Sequence, residues 1–194
     1  MDIKYEKIKS IIDFLLALIL LPFVIVIVAF FSILIIVDSP GSPIYKQERI
    51  GLNGKKFTIY KLRTMRLDAE ENGAKWAEKE DSRITRLGSF LRKTRIDELP
   101  QLVNILKGDM SIIGPRPERE IFINEFLKEI PNFNDRLKVK PGITGWAQVN
   151  GGYEISPVEK LRYDKEYIEN QSFKMDLEIG VKTIKVILTG DGAR

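Results

Sequence analysis

The hydrophobic and polar positions divide the chain into one long apolar run and a polar remainder with short periodic elements. Nearly every residue from Phe14 to Val37 is apolar, and about 20 such residues are enough for a helix to cross a bilayer. Pro22 lies inside the run and predicts a break or a kink in the helix. Lys4 before the run and Lys46 after it favour placing both ends on one side of the membrane. Two arrangements therefore remain open, a re-entrant helix-break-helix hairpin and a single tilted transmembrane helix.

The segment after the run has the pattern of a small β-hairpin. Asn53-Gly54 is a strong two-residue turn signal, and the sequence KFTIYKLR that follows alternates between apolar and polar residues. The period of two places Lys61 and Arg63 on one face of the second strand. That face is either a solvated edge or a phosphate-binding surface. The candidate core positions are Phe57, Ile59 and Leu62.

Residues 94–120, TRIDELPQLVNILKGDMSIIGPRPERE, contain the main candidate chemistry. Asp97 and Glu98 are adjacent carboxylates, and an apolar stripe at helical spacing follows them. We predict a helix with Asp97 as its N-cap and Gly108 as its C-terminal cap. The helix N-terminus would favour ionised carboxylates and a bound phosphate. MSII predicts a short buried strand after the helix.

The remaining segments predict mostly helices. Residues 66–80 are charged and alanine-rich, which indicates a surface helix, and residues 119–137 form an amphipathic pattern broken by Pro131. Residues 173–188 predict an amphipathic helix that lies on a membrane or packs on the domain. The predicted fold class is therefore α+β and mainly helical, with a membrane-embedded N-terminal hairpin at 1–40, a β-hairpin, amphipathic interface helices and a catalytic domain at 41–194.

Composition limits the chemistry. The chain of 194 residues has neither cysteine nor histidine, which excludes thiol nucleophiles, zinc-thiolate sites and the commonest general base. The formal charge of +4 suits an anionic membrane surface or a phosphate-rich substrate. No nucleic-acid-binding module is recognisable, so nucleic acid is not a predicted partner.

Basic residues surround the acidic pair in the sequence. Arg92 belongs to a cationic stretch that ends just before Asp97, and Arg116 is fixed between two prolines shortly after it. This arrangement could be mutual neutralisation of charges. It could equally be a cradle for a diphosphate, because arginine makes bidentate contacts to phosphate oxygens.

The run IDELPQLVNILKGDMSIIGPRPE resembles the core motif of bacterial sugar transferases, the monotopic polyprenyl-phosphate phosphoglycosyl transferases. The segments SPIYKQERIGLNGKKFTIYKLRTM, DSRITRLGSFLRKT and VKPGITGWAQVNG resemble the same family and occur in the same order. The resemblance covers nearly the whole chain. It favours the re-entrant hairpin over a full crossing.

The resemblance implies a specific reaction and location. Such enzymes transfer a sugar-1-phosphate from a UDP-sugar to polyprenyl (undecaprenyl) phosphate, release UMP and begin exopolysaccharide or glycoconjugate synthesis on the cytoplasmic face of the bacterial inner membrane. By resemblance, Asp97 is the nucleophile, Glu98 its partner, and both hold Mg2+. The residues expected to contact phosphates are Lys61, Arg63, Arg92 and Arg116, and Asp164 is a further acidic position.

Other hypotheses stay open from the sequence. A hexose-1-phosphate is favoured over an acetamido sugar by the segment NGGYEISPVEKLRYDKEYIEN, while neither the sugar nor the oligomeric state is determined. The chain would be a short member of the family or the catalytic part of a longer one. The rival functions are a membrane-anchored lipid-phosphate phosphatase and a non-catalytic scaffold on acidic lipids.

Overall fold

The apolar run forms a single long helix on which the other elements are arranged. The computed structural model describes residues 3–71, 73, 81–152 and 155–189, and these residues confirm a mainly helical α+β fold. The α-helices are α1 Ile3–Asp38, α2 Arg86–Lys93, α3 Leu102–Leu106, α4 Glu120–Leu127, α5 Trp146–Asn150, α6 Pro157–Glu169 and α7 Phe173–Thr189. The strands are β1 Ile44–Ile50, β2 Lys56–Leu62, β3 Ser111–Ile113 and β4 Gly142–Thr144, and 3₁₀ helices occupy Leu52–Gly54, Ile96–Gln101 and Phe133–Lys138.

Helix α1 differs from the predicted helix-break-helix. Pro22 lies inside an uninterrupted helix of 36 residues, which at 1.5 Å per residue is about 54 Å long. The helical hydrogen-bond pattern is not interrupted at Pro22, because proline removes one intrahelical hydrogen bond and the helix can continue when its neighbours keep theirs. The re-entrant course through a membrane stays a prediction, as does the division at residue 40.

Both ends of α1 contact the rest of the fold. Near the N-terminus, the Tyr5 hydroxyl donates a 2.7 Å hydrogen bond to Asp176 of α7, and Lys9 pairs with the same carboxylate at 2.8 Å. Near the C-terminus, Ile35 is buried together with Leu62 of β2 and Leu91 of α2. Helix α1 is also long and apolar enough to span a membrane, and only 11% of its most apolar 18-residue stretch is buried. One face of α1 therefore packs along the domain, and the rest is exposed hydrocarbon.

The β-hairpin is confirmed, with a longer loop than predicted. Strands β1 and β2 are antiparallel, and the last pair in their register is Ile50 with Lys56. The two-residue turn was wrong because Gly51 donates to the Lys55 carbonyl, which closes a larger loop around Asn53-Gly54. Both of those residues have positive φ, as their sequence suggests. The predicted core positions Phe57, Ile59 and Leu62 are all buried.

The segment with the acidic pair begins differently from the prediction. Arg95, not Asp97, precedes the first turn, and Arg95 has a left-handed backbone with φ 60°. Asp97 and Glu98 lie in the first turn of the 3₁₀ helix Ile96–Gln101, which continues into α3. The N-cap assignment was wrong because the chain turns sharply at Arg95 and Asp97 already lies inside the helix. Gly108 ends the helix with φ 80°, as predicted.

Beyond α3, the described residues form two short strands, one 3₁₀ helix and helices α4 to α7. Strand β3 is the predicted buried strand, and it pairs in parallel with β4. The amphipathic segment before β4 is broken as expected, into α4 and the 3₁₀ helix Phe133–Lys138. On α7 the apolar stripe faces outward, with Leu177 70% and Leu188 81% exposed. The predicted surface helix at 66–80 is not formed at 66–71, where the chain makes turns, and much of the remainder lies outside the described residues.

Candidate active site

A cavity of about 340 Å³ contains the predicted acidic pair. Strand β2, the start of the 3₁₀ helix Ile96–Gln101 and the turn after β3 all contribute to its wall. Asp97 and Glu98 are 6% and 5% exposed, so substrate would meet them in a largely dry environment. The predicted residues that line this cavity are Lys61, Arg63, Arg92, Asp97, Glu98 and Arg116.

Glu98 is neutralised by three cations. Its Oε1 accepts hydrogen bonds from Lys61 Nζ at 2.8 Å and from Arg116 Nη2 at 2.6 Å, and Arg95 Nη1 lies 3.6 Å from Oε2. Burial alone would raise the pKa of Glu98, but Arg116, Lys61 and Arg95 hold that pKa well below its usual range. Burial also lowers the pKa of Lys61. Glu98 therefore remains a fixed anion that holds two basic side chains in place.

Asp97 has a different environment. Its carboxylate makes no hydrogen bond or ion pair with any residue of the described ranges, and it faces the same cavity. Burial raises its pKa to about 6, and the charge of Glu98 adds to the shift while Lys61, Arg116 and Arg92 oppose it. Asp97 is thus mostly ionised at neutral pH, and no described cation makes a direct contact with it. An anion of this kind is suited to nucleophilic attack or to binding a cation.

The basic residues of the cavity wall differ in their hydrogen-bond partners. Arg92 Nε donates to Thr64 Oγ1 at 2.8 Å. The Arg63 guanidinium donates to the carbonyls of Pro40, at 3.2 Å, and Ser39. Arg63 therefore anchors the segment that leaves α1 and forms a wall of the cavity at the same time. Arg116 donates into the site itself.

Asp164 lies behind the cavity and not in its lining. It is 1% exposed and accepts from Arg136 Nε at 2.9 Å. Arg136 Nη2 in turn donates to the carbonyl oxygen of Arg116 at 2.7 Å. Asp164 thus contributes to the site through Arg136, which fixes the main chain that carries Arg116.

Glu118 is a buried carboxylate of the cavity wall that the sequence analysis did not single out. It lines the cavity, is 4% exposed and pairs with Lys160, with Arg136 at 3.8 Å and with Arg49 at 3.7 Å. Its position in the PRPE motif, two residues after Arg116, was the available signal. Its three partners come from distant parts of the chain, so no local pattern could have identified them.

The fit of Mg2+ to the acidic pair can be judged from these contacts. Among the described residues, no group of three or more acidic side chains converges, so a Mg2+ ion here would rely on one or two carboxylates and substrate phosphates, as is common for Mg2+. Asp97 fits this requirement because its carboxylate is unpaired within the described ranges. Glu98 fits less well, because its oxygens already face Lys61, Arg116 and Arg95.

Comparison with known proteins identifies relatives. Residues 4–190 match the bacterial sugar transferase family. The chain is 46% identical, over 98% of its length, to the UDP-N-acetylgalactosamine-undecaprenyl-phosphate N-acetylgalactosaminephosphotransferase of Aeromonas hydrophila, of which it covers 46%. It is 41% identical over 86% of its length to an uncharacterised sugar transferase of Bacillus subtilis (strain 168), of which it covers 80%.

A third relative acts on a different sugar. The UDP-glucose:undecaprenyl-phosphate glucose-1-phosphate transferase of Xanthomonas campestris pv. campestris is 43% identical over 78% of the chain, which covers 32% of that protein. The chain thus spans less than half of the Aeromonas and Xanthomonas relatives. The family match extends over α1, the acidic pair and the C-terminal helices alike. The chain belongs to the bacterial sugar transferase family.

Proposed function

We propose that this chain transfers a sugar-1-phosphate from a UDP-sugar to undecaprenyl phosphate through a covalent intermediate on Asp97. The observation that carries the proposal is the difference between two adjacent buried carboxylates. Glu98 is neutralised by Lys61 and Arg116, whereas Asp97 faces the cavity without an ion pair to any described residue. The names of two relatives, which specify sugar-phosphate transfer to undecaprenyl phosphate, support the same reaction.

The proposed first step is attack on the donor diphosphate. An oxygen of Asp97 forms a bond to the phosphorus that carries the sugar, and the bond from that phosphorus to the bridging oxygen breaks. UMP leaves with the bridging oxygen, and an aspartyl phosphosugar remains. A carboxylate needs no general base for this step, which suits a chain without histidine.

In the second step a phosphate oxygen of the lipid attacks the same phosphorus, and the Asp97 carboxylate is the leaving group. The product is a polyprenyl diphosphate sugar. Both steps bring anions together, so positive charge is the main catalytic requirement. Arg116 and Lys61 supply it from the protein, and a Mg2+ ion held by Asp97 and the donor diphosphate would neutralise further phosphate charge.

The position of α1 supports a membrane location for the site. Its two ends contact one domain, through the Tyr5–Asp176 hydrogen bond and through the packing of Ile35, so we propose that both ends lie at the cytoplasmic face. A lipid acceptor could then present its phosphate without leaving the bilayer. We propose a hexose-1-phosphate as the cargo, although the Aeromonas relative and a relative from Bacillus subtilis (strain 168) are named for an acetamido sugar.

The test is a comparison of Asp97→Asn with Asp109→Asn, a carboxylate outside the cavity lining. Wild-type enzyme given a sugar-labelled UDP-sugar and Mg2+ without lipid should retain label, release one equivalent of UMP and discharge the label when undecaprenyl phosphate is added. Asp97→Asn should do none of these, while Asp109→Asn should resemble wild type. Because burial raises the pKa of Asp97 and Asp97 makes no ion pair with a described residue, its amide variant should have a melting temperature at or above that of the wild type.

Several outcomes would refute the proposal or a part of it. Substantial turnover by Asp97→Asn, or label on Glu98, would refute the role of Asp97. An absolute requirement for both substrates together would replace the covalent scheme by direct attack of the lipid phosphate. Release of inorganic phosphate from the lipid would favour the phosphatase. No turnover over a panel of UDP-hexoses and UDP-acetamido sugars would favour the scaffold.

A further inference from the structure

A second cavity adjoins the first one and has a different character. It measures about 190 Å³ and shares Arg95, Glu98 and Gln148 with the cavity that contains Asp97. Elsewhere its wall is mainly aliphatic and comes from the 3₁₀ helix Ile96–Gln101, β4, α5 and α7. Its aliphatic side chains include Leu99, Leu102, Ile143, Val149, Val186 and Ile187.

The apolar cavity is continuous with an apolar outer surface. Ile187 lines it and is also 39% exposed. On the same helix, α7, the side chains of Val181 and Ile184 are 61% and 60% exposed. On a soluble surface such a stripe would be unfavourable, but at a membrane it would contact hydrocarbon. The cavity therefore leads from an apolar exterior to the charged catalytic site.

The Arg95 guanidinium lies where the two cavities meet. Lys61 and Arg116 are hydrogen-bonded to Glu98, whereas Arg95 only approaches it at 3.6 Å. Among the described residues the Arg95 guanidinium makes no hydrogen bond. The Arg95 guanidinium can thus donate to an anionic group that arrives through the apolar cavity.

We propose that this apolar cavity binds the phosphate-proximal isoprenoid chain of the lipid acceptor, with the lipid phosphate at Arg95. The inference deepens the proposed function and rests on it. A ligand for this space needs an apolar body and one anionic end, and it must enter from the membrane side. A polyprenyl phosphate has all three properties.

The donor does not fit the same space. A nucleotide sugar carries many hydroxyl and amide groups, and most of them would lie unpaired against aliphatic walls, which is costly. The volume is also below the 300–1,000 Å³ typical of drug-sized ligands, so only the first part of a long chain fits. The remaining chain would stay in the bilayer along α7. The two substrates would therefore reach Asp97 from different sides.

The expected contribution of the cavity is steric and not a large gain in hydrophobic free energy. A lipid chain that moves from bilayer hydrocarbon into a protein cavity exchanges one apolar environment for another, as transmembrane helices do when they associate. Filling the cavity should therefore exclude the chain and leave donor binding unaffected.

The test pairs Val186→Phe, which fills the cavity, with Val181→Phe, which adds the same ring to the exposed face of the same helix. For Val186→Phe we expect kcat/KM for undecaprenyl phosphate to fall about tenfold or more, a change of about 1.4 kcal/mol, with UMP release in the lipid-free half-reaction unchanged. Val181→Phe should be close to wild type in both. Equal lipid kinetics for the two variants, or equal loss of both half-reactions in a folded Val186→Phe enzyme, would overturn the inference.

A second measurement needs no turnover and no variant. A diazirine-bearing isoprenyl phosphate in vesicles, photolysed with wild-type enzyme, should label peptides that contain Ile143 or the segment 183–187, and excess undecaprenyl phosphate should suppress the labelling. Labelling confined to other segments would overturn the inference even if Val186→Phe failed to fold. Absence of lipid-dependent UMP release by the wild type would instead contradict the proposed function, so the two failures are distinguishable.

Discussion

Replacement of Glu118 by Gln should destabilise the fold through loss of one buried charge. Glu118 is 4% exposed and pairs with Lys160, Arg136 and Arg49, while its carbonyl oxygen accepts from the Ile50 amide. Glutamine keeps the shape and the main-chain bond but not the charge. The perturbation is therefore electrostatic: three cations lose an anionic partner, and of these Arg136 still pairs with Asp164.

Two routes give the same order of magnitude. Burial acts to raise the pKa of Glu118, but Lys160, Arg136 and Arg49 outweigh it and lower the pKa from 4.5 to about 2. A lowering of roughly 2.5 pKa units at about 1.36 kcal/mol each corresponds to about 3 kcal/mol of stability at neutral pH. Removing one partner of a buried ion pair typically costs about 3–5 kcal/mol. We expect a loss of about 3 kcal/mol in the free energy of unfolding.

The pH dependence has a definite sign. Because the folded-state pKa of Glu118 lies below its unfolded value, its stabilisation is complete above about pH 4.5 and is lost as the pH falls toward about 2. The difference in stability between wild type and Glu118→Gln should therefore be constant from pH 7 to 5 and then shrink. At pH 3 roughly 2 kcal/mol of it should be gone, at about 1.36 kcal/mol per pH unit.

Denaturant or thermal unfolding in one detergent, followed by circular dichroism at several pH values, measures this difference. Glu120→Gln is the matched control, because Glu120 pairs with Lys56 on the surface, where both side chains are about half exposed. Such exposed pairs contribute about 0–1 kcal/mol. A pH-independent difference between wild type and Glu118→Gln, or a loss no larger than that of the control, would refute the reasoning.

Three further predictions concern the site and its supports. Arg116→Ala should lower kcat about a hundredfold or more, because a charged contact in a dry site contributes about 2–4 kcal/mol. Arg162→Ala, at an exposed position outside the cavity lining, should change kcat little, and equal losses in the two variants would exclude a phosphate cradle. Gly88→Ala should destabilise the fold by about 1–3 kcal/mol, as measured by thermal unfolding, because a Cβ at this position would lie 2.0 Å from the Thr64 carbonyl oxygen. The control Gly180→Ala should be neutral or stabilising, because a Cβ there meets nothing within 4 Å. Chelation should abolish UMP release and added Mg2+ restore it; full activity in chelator would remove the metal from the scheme.

The elements that the sequence predicted well have local causes. The hairpin follows from Asn53-Gly54 and from alternation in β2, and both depend on residues next to one another in the chain. Helix α7 follows from a stripe at helical spacing. The gathering of Lys61, Arg92 and Arg116 around the acidic pair was also predicted, but from resemblance to a family whose motifs include those positions.

The parts that were wrong or missing depend on tertiary contacts. The helix start at Asp97 was displaced because Arg95 adopts a left-handed conformation, which a non-glycine residue rarely does without support from its surroundings. The continuity of α1 through Pro22 accompanies packing of Ala17 and Val24 against the domain on either side of the proline. Glu118 could not be recognised as the centre of an ionic network because its partners are far away in sequence.

Adjacency of two carboxylates in sequence says nothing about how their roles divide, and here the division comes from partners supplied by other elements. Strand β2 brings Lys61, and the turn after β3 brings Arg116, to the same oxygen of Glu98. Asp97 receives neither, so burial raises its pKa to about 6, while the pKa of Glu98 is held far lower. Groups whose environments separate their pKa values in this way commonly have different chemical tasks. In a chain without histidine, the proposed division into a positioning anion and a reactive one therefore depends on direct contacts, because Lys61 and Arg116 are hydrogen-bonded to Glu98 and act on Asp97 only through their charge.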